Sequence, residues 1–533
     1  MEIVEKEFMC VLLGSDINTY SMARAFHEEY GIKSRVMGKF FTGPSYRSKI
    51  VDFYADPKMD QKEVFIKAAN DFANEHKDKK IILLGCGDNY VRQIIECRDE
   101  LEDNYIIPYI DRELMERLIK KEEFYKMCEK YGILYPKTFI YSKDMNLNYT
   151  LDFDFPVILK PSNSVDYFAH EFETQHKVYK IDTREELDEV IKQIYDAGYS
   201  DTLIMQEFIP GDDTYMRVMT GYANKNGKVE LMCLGHTMLE EHTPHGIGNH
   251  AVVMTECNSD LANKLKTFLE DIHYTGFFNF DIKYCEKDNT FRVFEINVRQ
   301  GRSNYYVTGA GYNLAKYVVE DYIYNKEHDY LIADNINLWT VIPIGIAYKY
   351  VDEKYVNQMK ELKKEGKFVN PLFYKGDNKI LRTLALVKSQ LRHYGNYRKY
   401  LKKRSFISMM LFSFIPIIAT VIQSFIYGFS ITNLGLGIGS FVMFAAYMYD
   451  WSHNGNEHTN MINDSRFDAV IMLIIMLLSM SVSIIACVNG IQQVTKENSE
   501  IQSRTIAQMV STKIENEFIK PITVSQTISS DID

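Results

Sequence analysis

The chain has 533 residues, enough for two to four domains, and its 46% hydrophobic and 25% charged residues fit globular domains with some membrane. A net charge of −11 excludes a general nucleic-acid binder, which needs a basic footprint. The eight cysteines are scattered without a CxxC or paired histidine ligands, which excludes a disulfide frame and a zinc ribbon and suits reduced thiols. The opening Met1–Phe8 is too acidic for a signal peptide, so the front of the chain is expected in the cytoplasm.

Residues 8–110 alternate strand and helix. Phe8–Gly14, Ile32–Gly38, Ile50–Tyr54, Lys80–Gly85 and Tyr105–Ile110 read as strands, with helices near Ile17–Tyr30, Gln61–Glu75 and up to Leu101. That alternation predicts a parallel sheet with ligands at the carboxyl ends of its strands, where the turns Gly14–Asn18 and Gly85–Asn89 lie. Neither turn carries GxGxxG, so no dinucleotide site is expected, and an ordinary helix cap remains an alternative. Asp111–Tyr131 reads as one amphipathic helix. Phe155–Lys160 is an apolar strand whose terminal lysine is costly without an anionic partner. Helix Asp182–Ala197 and strand Leu203–Ile209 lead to the turn Pro210–Asp213, and Arg217 beyond it has the planar fork of a phosphate or carboxylate clamp. His236, His242, His245 and His250 match no metal-ligand spacing; an imidazole in this Gly/His-rich loop suits proton transfer.

After helix Ser259–Ile272, two alternating runs, Phe278–Cys285 and Phe291–Arg299, predict a β-hairpin around Glu286–Thr290. Asp281 and Lys283 share one face of the first strand; Glu295, Asn297 and Arg299 share one face of the second. Two carboxylates and an amide oxygen suit Mg²⁺ shared with phosphates, while Lys283 and Arg299 suit the phosphate charge. A solvated charged face is the alternative. Asp281 can oppose Glu295 only if the turn has an odd number of residues, because a one-residue slip flips every side chain. Arg302, Ser303 and Asn304 follow, placed to hold a small carboxylate.

The segments FNFDIKY and FEINVR resemble the metal-binding end of the ATP-grasp superfamily, with Asn297-Val298-Arg299 where the superfamily has Asn-Pro-Arg. Together with Leu12–Gly31, ILLGCGDNY, FYKMCEKYGILYPKT and QGRSNYYVT, they are similar to bacterial D-aspartate ligases and their carboxylate–amine ligase relatives over roughly residues 8–400. The resemblance implies an α/β and α+β architecture, an ATP-grasp fold preceded by a parallel-sheet domain. It implies ATP and Mg²⁺, an acyl-phosphate intermediate, and transfer of D-aspartate to a peptidoglycan stem-peptide lysine. Asp281, Glu295 and Asn297 would then be metal ligands, and Arg299, Lys160 and Arg302 catalytic. Nucleotide contacts would come from Lys121 (with Lys120 as rival), Lys160, Ser162, Ser164, Glu207, Asp213, Arg217 and Lys283.

Ser405–Tyr449 carries no charge and suits two membrane spans, with Ala469–Val488 as a third and Lys402-Lys403-Arg404 holding the front half inside. The tail resembles the first extracytoplasmic helix of Cache-type receptors, which implies a truncated sensor. The expected plan is therefore a first domain at 1–110, an ATP-grasp domain at 111–330 with a lid near 140–210, and an extension at 331–404. Three transmembrane helices at 405–490 and a tail at 491–533 follow, anchoring the protein in a bacterial inner or cell membrane. The rival expectations are a non-catalytic nucleotide-sensing head of a receptor and a ligase for another amino acid.

Overall fold

The computed structural model describes residues 5–176, 178–243, 246–401 and 461–519, without the side chains of 164, 165, 399, 400, 461–487, 518 and 519. The chain divides into the units Met1–Leu401 and Lys402–Asp533. The first unit begins with a parallel sheet of β1 (Phe8–Leu13), β2 (Ser34–Gly38), β3 (Val51–Ala55), β4 (Lys80–Gly85) and β5 (Tyr105–Ile106), in the order β3-β2-β1-β4-β5. Its central strands are apolar on both faces, as a sheet covered by helices requires: Cys10, Val11, Leu12, Leu83 and Leu84 are fully buried. Helix α1 (Ile17–Tyr30) is started by Asp16, whose carboxylate accepts from Thr19 N, and ended by Gly31 at φ 70°. Helix α2 is Lys62–Glu75, and α3 (Asp88–Glu96) opens directly after β4. The β1 and β4 turns thus meet where the strand order reverses, the crevice of an open α/β sheet.

The single helix expected over 111–131 is two, α4 (Arg112–Ile119) and α5 (Lys121–Lys130), because Lys120 adopts an extended ψ of 109°. A four-stranded antiparallel sheet follows, made of β6 (Thr138–Tyr141), β7 (Val157–Pro161), β8 (Tyr179–Ile181) and β9 (Leu203–Glu207), in the order β6-β9-β7-β8. It has its own small core, in which Leu187, Ile191 and Ile194 of helix Arg184–Asp196 pack on Val157, Leu159 and Met205. The large sheet joins β10 (Met216–Ala223), β11 (Val229–Glu240), β12 (His250–Glu256), β13 (Gly276–Cys285) and β14 (Thr290–Asn297). Three short strands from the expected extension complete it: β15 (Leu331–Ile332), β16 (Leu338–Thr340) and β17 (Phe368–Val369). Segments of two or three residues have no period to read, so only long-range pairing reveals them.

The β13–β14 hairpin achieves its register by a route the sequence did not suggest. Its loop, Glu286–Asn289, has four residues, and Cys285 to Ile282 pair with Thr290 to Val293. An even loop alone would set Asp281 opposite Phe294. A bulge after Ile282 inserts Phe294 as an extra residue, and Asp281 then pairs with Glu295 and Asn279 with Asn297.

The expected multi-pass membrane region is not upheld. A span needs about 20 consecutive apolar residues, and among the described residues no helix is long and apolar enough to cross a membrane. Two expected spans, in 405–449, lie outside the described residues. The third, Ala469–Val488, falls in the helix Met461–Ile514, whose side chains are described only from Val488 onward. From there the helix carries exposed Lys496, Glu497, Glu500 and Arg504. The placement in a bacterial inner or cell membrane is corrected accordingly. Of the expected tail, residues 520–533 also lie outside the described ones.

Candidate active site

Lys121, Lys160, Asp281, Glu295, Asn297 and Arg299 come together between the four-stranded sheet and the large sheet. The break at Lys120 starts a new helix at Lys121, whose Nζ donates to Glu295 Oε2 at 2.8 Å; Lys120 is exposed. Lys160 reaches in from the end of β7 and donates to Gln206 Oε1 at 3.1 Å. Gln206 is held in turn by donating to Tyr125 Oη at 2.9 Å and Thr138 Oγ1 at 3.0 Å. On the opposite wall Asp281 accepts from Asn279 Nδ2 and Asn297 Nδ2, both at 3.3 Å, while the Asn297 oxygen accepts from Arg299 Nη2 at 3.4 Å.

The electrostatics of these groups are mutually dependent. Burial and the neighbouring Glu295 push the Asp281 carboxyl well above the carboxylate range. Glu295 is held below that range by the Lys121 ammonium. Lys160 falls to about 7, first through burial and then through repulsion from Lys121. Burial pulls on Lys121 as well, yet the attraction of Glu295 leaves it above the ordinary lysine value. Two carboxyls side by side with two lysines around them suit a cation beside Asp281 and anionic oxygens beside the lysines. Among the described residues no group of three or more His, Cys, Asp or Glu side chains could hold a metal. The set here is two carboxylates and an amide, which fits Mg²⁺ because that ion takes few protein ligands and shares its shell with phosphates and water.

The remaining expected residues fall in three places. Around the turn Pro210–Asp213, Glu207 Oε2 accepts from Lys137 N at 3.2 Å, and Lys283 Nζ donates to Gly211 O at 2.9 Å. Asp213 accepts from Glu240 N at 2.8 Å and pairs with His242 Nε2 at 2.7 Å. Ser162 is exposed and donates through Oγ to Thr202 O at 2.7 Å; the side chain of Ser164 lies outside the described ones. Arg217 is the exception. It pairs with Ile282 across β10 and β13, so it stands on the face opposite Asp281 and Lys283. There it binds Glu256 and donates to Thr214 O at 2.8 Å, leaving it a packing role instead of the expected anion clamp. Replacing Arg217 with leucine is expected to cost about 2 kcal/mol of stability by taking one partner from the half-buried Glu256, which keeps His236 Nδ1 at 3.2 Å. The KM for ATP of the folded fraction should not move, which urea melts and steady-state kinetics would check.

Arg302 donates through Nη2 to Glu241 Oε1 at 2.9 Å, and its Nη1 is buried without a hydrogen-bond partner. Beside it His250 Nδ1 meets Ser303 Oγ at 3.2 Å, and burial plus the guanidinium lower His250 to about 4, so its ring is neutral. Asn304 Nδ2 is taken up by Asn18 Oδ1 at 2.8 Å and Gly301 O at 2.9 Å, which makes it a structural tie to the first domain. The histidines go to separate partners: His236 to Thr214 O, His242 to Asp213 and His250 to Ser303, with His245 outside the described residues.

Sequence reading missed Gln206, Tyr125, Glu241 and Asp88. Asp88 holds Arg299 through two bonds, Nε to Oδ1 at 2.7 Å and Nη2 to Oδ2 at 2.9 Å. Its place in the Gly85–Asn89 turn was the one available signal. Neither Gln206 nor Tyr125 stands out from an ordinary strand or helix residue.

No protein-family model matches the chain. D-aspartate ligase of Enterococcus faecium (strain Aus0004) is 42% identical over 412 residues, covering 75% of this chain and 98% of that protein. Among solved structures, N5-carboxyaminoimidazole synthetase from Staphylococcus aureus complexed with ADP is 12% identical, covering 73% of this chain and 98% of its own, with a TM-score of 0.48. L-amino acid ligase from Bacillus licheniformis is 14% identical, covering 60% and 74%, with a TM-score of 0.42. The match spans nearly the whole of the enterococcal protein, and in this chain a four-stranded antiparallel sheet and a large sheet follow the parallel one. The fold is ATP-grasp, and the chain belongs to the D-aspartate ligase family, as an ATP-dependent carboxylate–amine ligase.

Proposed function

We propose that the cleft joins the β-carboxylate of D-aspartate to the side-chain amine of a stem-peptide lysine in a peptidoglycan precursor, with ATP converted to ADP. The observation that carries this reading is the meeting of Lys121 and Lys160 at Glu295 beside Asp281. A nucleotide-sensing head has no need of paired acids and a desolvated lysine aimed at one another. Asp281, Glu295 and Asn297 would hold Mg²⁺, and bound Mg-ATP supplies the phosphoryl group with part of its charge already neutralised. Lys121, Lys160 and Arg299 offset charge on the transferring group, chemistry that relies on positioning and electrostatics. Lys283, Glu207 and Asp213, around the turn Pro210–Asp213, would hold the nucleotide, and Ser162 and Ser164, in the loop after β7, would supply donors to its phosphates.

The buried, unpartnered Nη1 of Arg302 suits a carboxylate of the acid substrate. That leaves the acid's other carboxylate to take the γ-phosphate, after which the amine attacks the acyl carbon, phosphate leaves and a proton is released. His250 is adjacent, and an acid carboxylate that offsets the Arg302 charge would raise its basicity from about 4 toward that of a proton acceptor. The name of the enterococcal relative supports the choice of D-aspartate. ADP release should be measured with D-aspartate, L-aspartate and other amino acids, each with a lysine-containing precursor. D-aspartate is expected to give the highest kcat/KM. Turnover only with another acid would replace the substrate, and ATP binding without ADP release with every acid would overturn the ligase reading.

A further inference from the structure

The first domain carries an aromatic surface that the chemistry above leaves unused. Between β2 and β3 the chain runs through Phe40, Phe41 and Tyr46, which are 58%, 56% and 37% exposed. The Phe41 ring packs 5.8 Å from Tyr46 and 5.5 Å from Phe53, so the patch is built and not frayed. The exposed Arg47 guanidinium lies 5.0 Å over the Tyr46 ring, from a backbone at φ 64°. This loop sits against the active cleft. Gly43 adopts φ 75°, and a Cβ there would lie 1.9 Å from Ser15 O, so the loop touches the β1 turn backbone to backbone. At the other end of the same turn Asn18 Nδ2 donates to Gln300 O at 3.3 Å, two residues before Arg302. The loop that carries the patch is therefore joined to the cleft through the β1 turn.

Ligation needs three substrates. The nucleotide belongs between lid and large sheet, the small acid at Arg302, and the amine has to arrive from the side left open. Exposed contiguous aromatic groups mark interaction sites. Rings joined to a guanidinium suit an occupant with ring faces and anionic groups. We propose that Phe40, Phe41, Tyr46 and Arg47 dock the amine-bearing substrate, a large acceptor with ring-bearing and anionic parts beyond its reactive nitrogen. This rests on the ligase reading above.

Hydroxylamine separates the two. As a small nucleophile it forms a C–N bond to the acyl carbon of the acyl phosphate, with phosphate leaving and a proton passing to solvent, and it has no use for a docking surface. Phe40→Ser removes an exposed ring, and Arg47→Asn removes the guanidinium while tolerating the positive φ. In the full-length protein each is expected to raise KM for the lysine-bearing precursor by about 10-fold. Hydroxamate formation from D-aspartate, and KM for ATP and for the acid, should be unchanged. A precursor KM in both variants unchanged from that of the unaltered protein would overturn the proposal, as would a parallel loss of hydroxamate formation, which would mean that the loop acts by holding the Ser15–Asp16 turn. Absence of hydroxamate with the unaltered protein would instead sink the ligase reading itself.

Discussion

Replacing Asp281 with asparagine is expected to lower ligation by about 10³-fold without unfolding the protein. Asparagine keeps the shape of the side chain and can still meet Asn279 and Asn297, but it offers a neutral oxygen where a cation needs a charged one. In the unliganded protein Asp281 is half-buried, and desolvation together with the second carboxylate beside it raises its pKa. Removing that charge should leave the thermal midpoint unchanged or raise it, the trade of stability for activity seen at sites strained for function. Glu295→Gln is expected to behave differently. It strips the shared counter-ion from Lys121 and Lys160, so activity and melting temperature should fall together. Ligation assays with matched melting curves check both. An Asp281→Asn protein within tenfold of full activity would remove the metal assignment.

Lys160→Met is expected to reduce kcat by about 10²-fold, the scale of losing one pre-placed charge at a transferring phosphoryl group. The same substitution has a signature that packing alone would not produce. Burial and Lys121 hold Lys160 near 7 in the free protein, so at pH 8 it is mostly neutral. A polyphosphate brought beside it favours the ammonium, and binding should take up close to one proton at pH 8. At pH 5.5 the lysine is already protonated, and the part of the uptake that differs between the unaltered protein and Lys160→Met should vanish. Titration calorimetry of ADP binding in buffers of different ionisation enthalpy measures this directly. Uptake that is absent at pH 8, or that survives in Lys160→Met, would show that another group carries the proton.

The amino-acid sequence by itself determined the chemical inventory and much of the architecture. Alternating apolar runs announced the parallel sheet and the hairpin, since burial on two faces or one leaves a period that can be read. Asp281, Glu295 and Asn297 were legible as one set because a strand sends every second side chain to the same side. Lys160 was legible because a charge ending an apolar strand demands a partner.

What only the tertiary structure decided depends on contacts between residues far apart in the chain. The bulge at Phe294 is a one-residue register shift inside a continuous alternating run, and no local pattern marks it. Lys121 won over Lys120 because the chain breaks between two helices that read as one, turning a single lysine toward Glu295 from 174 positions away. Arg217 has the right chemistry for an anion, yet its cross-strand partner Ile282 fixes it to the far face. Arg299 meets Asp88 across 211 residues, a pairing that exists only once the first domain and the large sheet have closed on each other. Spacing along the chain reports which face a side chain takes within its own element; which elements meet, and so which charges neutralise which, is set by packing that no local period encodes.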